Sequence, residues 1–327
     1  MMNMTAVKSK IGSVSLEARN LTEAEALSFE RFLRNIERSS GSFFDRPLSI
    51  GIEFLGPDRS LEAKALFGDG TNLQYNGFAS PKGWELRSTK EGAMFHIPKY
   101  EDYILIDNAS NSKNIDVKIY EQNRTYRILQ FGAIDLLQLG TTKAIIWGSG
   151  ILLDGKRTLL ASDTTTGKTT ILAQLIHAKT DLTLVSEDRT LIADGCAYSI
   201  STCGTLRRGA LQYLGIERDG ERYIDFSDHV RCMPKLDRIQ AVISPQINFN
   251  GEYTIGAPAP LPNSIIMPMN RDWFCQVMQT EDIAKLVSEK SKSLAGMPNQ
   301  TQHINYSLDS GRTAELVSRL LRSVVSA

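Results

Sequence analysis

The chain has 327 residues, of which 42% are hydrophobic and 23% are charged, and its 37 basic side chains balance 37 acidic ones. A net charge of zero gives no indication of nucleic acid or an anionic membrane as the main partner, so neither is expected. No apolar run approaches the roughly 20 residues of a membrane span, and the start M-M-N-M-T-A-V-K-S-K lacks an apolar signal-peptide core, so we expect a cytoplasmic protein.

The length predicts two domains, which we place at residues 1–140 and 141–327. The first 20 residues are polar and show no strong period, so we expect the tip of the chain to be loosely held. A helix is predicted after Thr22, which stands at capping-box spacing from Glu25, and is expected to end near residues 39–41. Its predicted apolar stripe consists of Ala26, Leu27, Phe29, Leu33 and Ile36.

The rest of the first domain is predicted to be mostly β, because short apolar runs alternate with turn signals such as G-D-G-T-N and N-A-S-N-S. The candidate strands are residues 48–54, 61–67, 84–88, 94–97, 103–106, 115–120 and 125–130. Residues 133–139 are predicted to form a short helix that leads into the second domain. The first domain is therefore an α+β domain, a helix followed by short strands.

The second domain begins with a predicted pair of short strands at residues 144–147 and 150–153. Asp154-Gly155 is a tight-turn signal before a further apolar segment at residues 157–161. A hairpin is therefore expected to lead into the segment that follows, residues 161–172, which reads A-S-D-T-T-T-G-K-T-T-I-L.

This segment matches the phosphate-binding pattern G-x-x-x-x-G-K-[ST] in its distal half, Gly167-Lys168-Thr169, while Ser162 stands where the first glycine is expected. Backbone amides of such a loop and of the helix after it favour an anion. Lys168 would reach the β and γ phosphates, and the Thr169 hydroxyl would coordinate Mg²⁺. The alternative is a polar strand-to-helix turn with a capping hydroxyl and an incidental lysine. The candidate nucleotide-binding residues are Ser162, Asp163, Thr164, Thr165, Thr166, Gly167, Lys168, Thr169 and Thr170.

A second strand, residues 182–186, ends at the acidic pair Glu187-Asp188, followed by Arg189 and a further strand at residues 190–192. In open α/β sheets ligands bind at the carboxyl ends of strands, which would bring both carboxylates beside the phosphates. The alternative is a solvated turn in which Asp188 faces Arg189.

The succession W-G-S-G-I-L-L-D-G-K-R-T-L-L-A-S-D-T-T-T-G-K-T-T, followed by L-V-S-E-D-R, resembles HPr kinase/phosphorylase and the related kinases of its class. That class shares its nucleotide-binding core with phosphoenolpyruvate carboxykinase. The resemblance covers residues 143–194. Asp163 and Thr169 fall on matching positions, Glu187-Asp188-Arg189 replaces the acidic segment of the family, and Trp147 stands where the family has histidine.

The resemblance implies an α/β protein with a P-loop kinase core of this type and a smaller β-rich N-terminal domain. It implies transfer of the γ-phosphoryl group of ATP, with Mg²⁺, to a hydroxyl: a seryl side chain of a protein or peptide, or a small metabolite. Lys168, Glu187 and Asp188 would be catalytic, with Thr169 and Glu187 at the metal, and either acid could be the general base. Relatives are often oligomeric, which leaves room for a homo-oligomer.

Two other functions stay open. The altered loop and Trp147 would suit a nucleotide-binding regulator that has lost catalysis. A carboxykinase-like enzyme is disfavoured because the lysine and histidine metal pair of that family is not found. Farther along, residues 205–209 are predicted as a basic turn, 239–243 as a core strand, 257–264 as a rigid proline-rich loop, and 312–325 as a terminal helix after an extended segment.

Overall fold

The computed structural model describes residues 4–56, 59–73, 85–98, 101–121, 127–162, 167–206, 208–216, 222–261 and 280–324. The protein is of mixed α/β class, and its chain divides into two units. The first comprises Met1–Glu37, Gly41–Thr142 and Met269–Glu289, and the second Arg38–Ser40, Lys143–Pro268 and Lys290–Ala327. None of the helices in the described ranges is both long enough and apolar enough to cross a membrane.

The first unit is built on one eight-stranded mixed sheet with the strand order β1-β2-β3-β8-β7-β6-β5-β4. Its strands are β1 Thr5–Ile11, β2 Val14–Leu21, β3 Leu48–Leu55, β4 Thr71–Asn72, β5 Glu85–Ser88, β6 Gly92–Ile97, β7 Asp102–Asp107 and β8 Asn114–Tyr120. Its helices are α1 Glu23–Ser40, α2 Ser60–Gly68 and α3 Arg127–Leu137, the last followed by a 3-10 turn at Gln138–Gly140.

From Thr5 onward the N-terminal residues are not loosely held, so the prediction is wrong for them, while residues 1–3 lie outside the described residues. β1 and β2 form an antiparallel hairpin in which Val14, Leu16 and Ala18 are buried while the residues between them are not. This alternation is the two-residue period of a half-buried strand. The many polar residues concealed it, because every second position of each strand faces water.

The helix after Thr22 is confirmed, together with its capping box. The Thr22 hydroxyl accepts a hydrogen bond from the Glu25 amide at 3.4 Å, and the Glu25 carboxylate accepts one from the Thr22 amide. Of the predicted apolar stripe, Phe29 and Ile36 are buried, but Leu27 is 63% exposed and does not belong to it.

The strands predicted at residues 48–54, 94–97, 103–106 and 115–120 are confirmed. Of the strand predicted at residues 84–88, the described part, residues 85–88, is also confirmed. Residues 61–67 were predicted as a strand but lie in α2, where Ala63, Leu66 and Phe67 are buried at three- and four-residue steps. Residues 127–130 of the last predicted strand lie in α3, whose continuation through residue 137 confirms much of the predicted short helix. A short apolar run does not distinguish a strand from a buried helix.

The second unit contains a six-stranded sheet of order β12-β10-β11-β18-β20-β19, a four-stranded sheet of order β17-β14-β13-β9, and the pair β15-β16. The strands of these sheets are β9 Ala144–Ile146, β10 Gly148–Leu153, β11 Lys156–Ala161, β12 Leu182–Ser186, β13 Thr190–Ala193, β14 Cys196–Ser199, β15 Cys203–Leu206, β16 Arg222–Asp225, β17 Lys235–Leu236, β18 Ala241–Ile247, β19 Thr254–Pro260 and β20 Gln300–Tyr306. Its helices are α4 Lys168–His177, α5 Arg208–Leu211, the end of α6 Thr280–Ser293, and α7 Ser310–Val324.

Strand directions bring several chain segments to one edge of the six-stranded sheet. β11 runs parallel to β18 and β18 parallel to β20, while β10 is antiparallel to both β11 and β12. The carboxyl ends of β11, β12, β18 and β20 therefore lie at the same edge as the amino end of β10. This is the edge at which open α/β sheets bind ligands.

The predicted turn at Asp154-Gly155 is confirmed, with φ of 49° and 73°, and it joins β10 to β11. The predicted pairing of residues 144–147 with 150–153 is wrong, because β9 pairs with β13 in the four-stranded sheet. The chain passes from one sheet to the other at Trp147. Adjacent apolar runs could not show that they belong to different sheets.

The C-terminal predictions are confirmed in part. The extended segment and terminal helix correspond to β20 and α7, and the predicted core strand overlaps β18. Residues 257–260 were predicted as a loop but belong to β19, an exposed strand at the edge of the sheet, where proline costs no ladder hydrogen bond. Residues 262–264 lie outside the described residues.

Candidate functional site

The segment with the phosphate-binding pattern is flanked by the strand and the helix that the sequence predicts. β11 ends at Ala161, Ser162 follows it, and α4 begins at Lys168 after Gly167. Four predicted nucleotide-binding residues lie outside the described residues: Asp163, Thr164, Thr165 and Thr166. The geometry of the site is therefore described from both ends of the loop.

Gly167 has φ of +102°, a conformation that favours glycine. A Cβ atom at this position would overlap the hydroxyl of Tyr306 and lie 3.2 Å from Cβ of Ile247. The Gly167 carbonyl accepts hydrogen bonds from the Tyr306 hydroxyl at 2.6 Å and from the Ile171 amide at 2.9 Å. The exit of the loop is thus fixed to the end of β20. Burial raises the pKa of Tyr306, so this hydroxyl stays a donor.

Lys168 is 6% exposed, and its Nζ donates a hydrogen bond to the carbonyl of Ser162 at 2.7 Å. The ammonium group therefore lies over the entrance of the loop and joins it to the first turn of α4. Ser162, which replaces the usual glycine, contributes its backbone carbonyl to this bond.

Thr169 and Glu187, predicted as metal ligands, are in direct contact. The Thr169 hydroxyl donates to Oε1 of Glu187 at 2.5 Å, and the Ser149 hydroxyl donates to Oε2. Thr170, also predicted at the nucleotide, has its side chain near the Tyr306 hydroxyl, whose pKa it lowers. The first turn of α4 thus places Thr169 at the carboxylate and Thr170 near the end of β20.

Glu187 is fully buried, and burial is the main cause that raises its pKa to about 7. The negative charge of Asp188 adds to this rise. The hydrogen bonds from Ser149 and Thr169 and the charge of Lys168 act in the opposite direction, because they favour the carboxylate. Around neutral pH the group therefore exists in both protonation states.

Glu187 is held in place both through its backbone and through its side chain. Its amide donates to the carbonyl of Ser201 at 2.6 Å. Gly204 of β15 lies against the side chain, and a Cβ atom on Gly204 would come within 2.7 Å of Cγ of Glu187. A larger residue at position 204 would displace the carboxylate.

Asp188 faces Arg189, as the alternative interpretation has it, and the turn is only partly exposed to solvent. Oδ2 of Asp188 accepts a hydrogen bond from Nη1 of Arg189 at 2.8 Å, and the two side chains are 29% and 3% exposed. The Arg189 guanidinium carbon lies 5.0 Å from the centre of the Trp147 ring. Trp147 therefore packs against the arginine that holds Asp188.

Two adjacent oxygens, Oγ1 of Thr169 and Oε1 of Glu187, suit a hard cation such as Mg²⁺. Within the described ranges no group of three or more His, Cys, Asp or Glu residues is placed to hold a metal ion. An ion at Thr169 and Glu187 would therefore take its other ligands from water and a bound molecule, as Mg²⁺ commonly does.

The predicted basic turn at residues 205–209 is not a turn in its described part. Thr205 and Leu206 belong to β15, and Arg208 begins α5. Arg207 lies outside the described residues.

Cys196, Cys203 and Cys232 are free thiols.

Three residues of the site were missed from the sequence: Ser149, Gly204 and Tyr306. The signal for Ser149 was the polar residue in W-G-S-G at the start of an apolar strand. Gly204 and Tyr306 carry no such signal, because packing of β15 against Glu187 and the pairing of β20 in the six-stranded sheet bring them to the site.

Models of known protein families give no match to this sequence, and a search of curated proteins gives none. The arrangement of Lys168, Thr169 and Glu187 is therefore the basis for a functional assignment.

Proposed function

We propose that the protein is an ATP- and Mg²⁺-dependent kinase of the HPr kinase/phosphorylase-like class, which transfers the γ-phosphoryl group to a hydroxyl acceptor. The contact of 2.5 Å between Thr169 and Glu187, at the exit of a loop that also carries Lys168, is the observation behind this proposal. A polar turn with an incidental lysine gives no reason for the threonine to meet a buried carboxylate from another strand. The catalytic centre is assigned to the second unit.

Nucleotide binding is supported by the positive charge of Lys168 and by the position of the loop at the start of α4. The amides of a helix's first turn have no partner within the helix and favour an anion there. The buried ammonium of Lys168 adds a full charge at the same place. A chain of phosphates satisfies both, so ATP fits better than a neutral ligand.

Thr169 and Glu187 would hold the Mg²⁺ ion. When bound, Mg²⁺ neutralises charge that develops on the transferred phosphoryl group. Glu187 is buried between α4, β10 and β15, which excludes bulk water from the carboxylate. Lys168 would orient the phosphates from the side of the loop.

Asp188 would be the general base, because both oxygens of Glu187 already accept hydroxyl protons. Arg189 holds Oδ2 of Asp188 and so fixes its orientation. The acceptor hydroxyl would give its proton to Asp188 while its oxygen attacks the γ-phosphorus and ADP leaves. The acceptor class is a seryl side chain of a protein or peptide, or a small metabolite.

A nucleotide-binding regulator without catalysis is the second candidate. It is favoured by the ion pair between Asp188 and Arg189, because a carboxylate held by an arginine accepts a proton less readily. It is also favoured by Trp147 at the usual histidine position. A regulator of this kind would bind ATP through the same loop.

The test is to incubate cell extract with the protein and γ-labelled ATP and to identify the phosphorylated product by mass spectrometry. Asp188→Asn should bind ADP and Mg²⁺ as the wild type does but transfer no phosphate. Asp194→Asn is the matched control, the same substitution at an exposed residue beyond the other end of β13, and should transfer phosphate normally. Nucleotide binding without any transfer by the wild type would support the regulator, and no nucleotide binding would refute both.

A further inference from the structure

Each oxygen of the Glu187 carboxylate has its own hydroxyl donor, Thr169 on Oε1 and Ser149 on Oε2. We propose that Ser149 is a positioning residue for the divalent metal: its hydroxyl holds Oε2 of Glu187 so that Oε1 stays beside Thr169. This inference rests on the proposed function, because the metal is the one that would accompany the nucleotide.

The pairing of β10 with its neighbours sets the position of Ser149. Gly150 pairs with Ser186 in the antiparallel ladder, so the residue before Gly150 lies beside the residue after Ser186. On its other side Ser149 pairs with Leu160, near the end of the strand that leads into the loop. Ser149 is therefore fixed between the loop strand and the strand that carries Glu187.

Burial makes the hydroxyl hard to replace. Ser149 and Glu187 are both fully buried, so bulk water has no access to Oε2 when the hydroxyl is removed. A buried carboxylate oxygen without a donor is costly, and the side chain would turn toward another partner. Gly204 limits the space for such a movement on the side of β15.

The hydrogen bond to Oε2 leaves Oε1 as the oxygen that can ligate a metal next to Thr169. Carboxylate ligands are themselves commonly held by hydrogen bonds, and loss of such a partner typically lowers metal affinity about 10–100-fold. The Ser149 hydroxyl donates to Glu187, whereas Lys168 donates to the carbonyl of Ser162. The binding of nucleotide phosphates without metal should therefore not depend on Ser149.

The experiment measures metal and nucleotide binding separately by calorimetry. Mg²⁺ is titrated into protein saturated with ADP, and ADP is titrated into protein in the presence of EDTA. Ser149→Ala should bind Mg²⁺ about 10–100-fold more weakly than the wild type, with ADP affinity in EDTA unchanged. Ser149→Cys, whose thiol is a weaker donor of similar size, should have a Mg²⁺ affinity between those of Ser149→Ala and the wild type.

Thr190→Val is the matched control. The Thr190 hydroxyl is fully buried and donates to the carbonyl of Gly148 at 2.6 Å, so its removal deletes a hydrogen bond close to Ser149 without touching Glu187. This variant should keep the wild-type Mg²⁺ affinity. Circular dichroism checks that each variant is folded. If Ser149→Ala does not fold, the Mg²⁺ affinity of Ser149→Cys tests the role of Ser149.

The outcomes separate this inference from the proposed function. Wild-type Mg²⁺ affinity in Ser149→Ala, with normal ADP binding, would overturn the role of Ser149 and leave the proposed function intact. Equal losses in Ser149→Ala and Thr190→Val would also overturn it, since Ser149 would then be only structural. A wild-type protein that binds no ADP would refute the proposed function and this inference with it.

Discussion

Glu187 is a buried carboxyl group whose pKa is raised to about 7, above the 4.5 of the free side chain. Because the folded-state pKa is the higher one, the folded protein favours the protonated form. The resulting stability is fully present below pH 4.5, is lost as the pH rises toward about 7, and does not change further above that value.

The first prediction is that Glu187→Gln stabilises the protein at pH 8 more than at pH 5, because glutamine carries no charge to bury. The difference between the two pH values should be up to about 3 kcal/mol in the free energy of unfolding. Urea denaturation at both pH values measures it. An equal effect at pH 5 and pH 8 would mean that the carboxylate ionises without a burial cost.

The second prediction concerns Gly167→Ala, which should weaken ADP binding and lower stability by about 1–3 kcal/mol. The alanine would combine a strained φ of +102° with overlap of the Tyr306 hydroxyl. Gly155→Ala is the control, because φ is +73° there but no atom lies within 4 Å of the added carbon. If both variants bind ADP alike, the overlap with Tyr306 has no consequence for the loop.

At the scale of single residues, sequence alone predicted those site residues that belong to a local pattern. Lys168 and Thr169 follow from the loop motif, and Glu187 from its place after a buried strand. Ser149 and Gly204 could not be predicted, because they meet Glu187 through strand pairing and packing. No spacing along the chain encodes that contact.

At the scale of elements, α1 was predictable because its start signal lies within four residues. The third prediction is that Thr22→Ala lowers the free energy of unfolding by about 1 kcal/mol, since it removes the acceptor for the Glu25 amide. Thr22→Ser keeps the hydroxyl and should be close to the wild type in thermal unfolding. A similar loss in both variants would assign the effect to the threonine methyl group.

Elements with mixed signals were not predictable. α2 contains the apolar run L-E-A-K-A-L-F, which suits a short strand as well as a helix until its packing partners are known. β1 and β2 become strands because they pair with each other and, for β2, with β3. Both outcomes depend on residues distant in the chain.

At the scale of the molecule, ligand binding adds to the stability of the folded state. The fourth prediction is that ADP with Mg²⁺, at about 100 times its dissociation constant, stabilises the protein by about 2.7 kcal/mol. Lys168→Ala should abolish this gain, whereas Lys292→Ala, an exposed lysine in α6, should retain it. Thermal unfolding with and without ligand measures both. Full ligand stabilisation in Lys168→Ala would remove that lysine from the site.

The α/β class was predictable from composition and apolar runs, but the sheet order was not. Strands as far apart as β12 and β20 share one sheet, and the first unit includes residues 280–289, far beyond its other segments. When the chain returns to an earlier unit, the sequence shows no local pattern in the returning segment or in the segments that it joins. Such long-range pairing depends on the burial of the apolar faces of whole sheets and helices.

The hydrogen bond from Tyr306 to Gly167 joins residues 139 positions apart. During synthesis on the ribosome, the loop is made long before the strand that anchors it. A nascent chain that ends before residue 306 should therefore carry the motif without a settled loop. Capture of stalled chains of increasing length on immobilised ADP would show when the loop becomes competent.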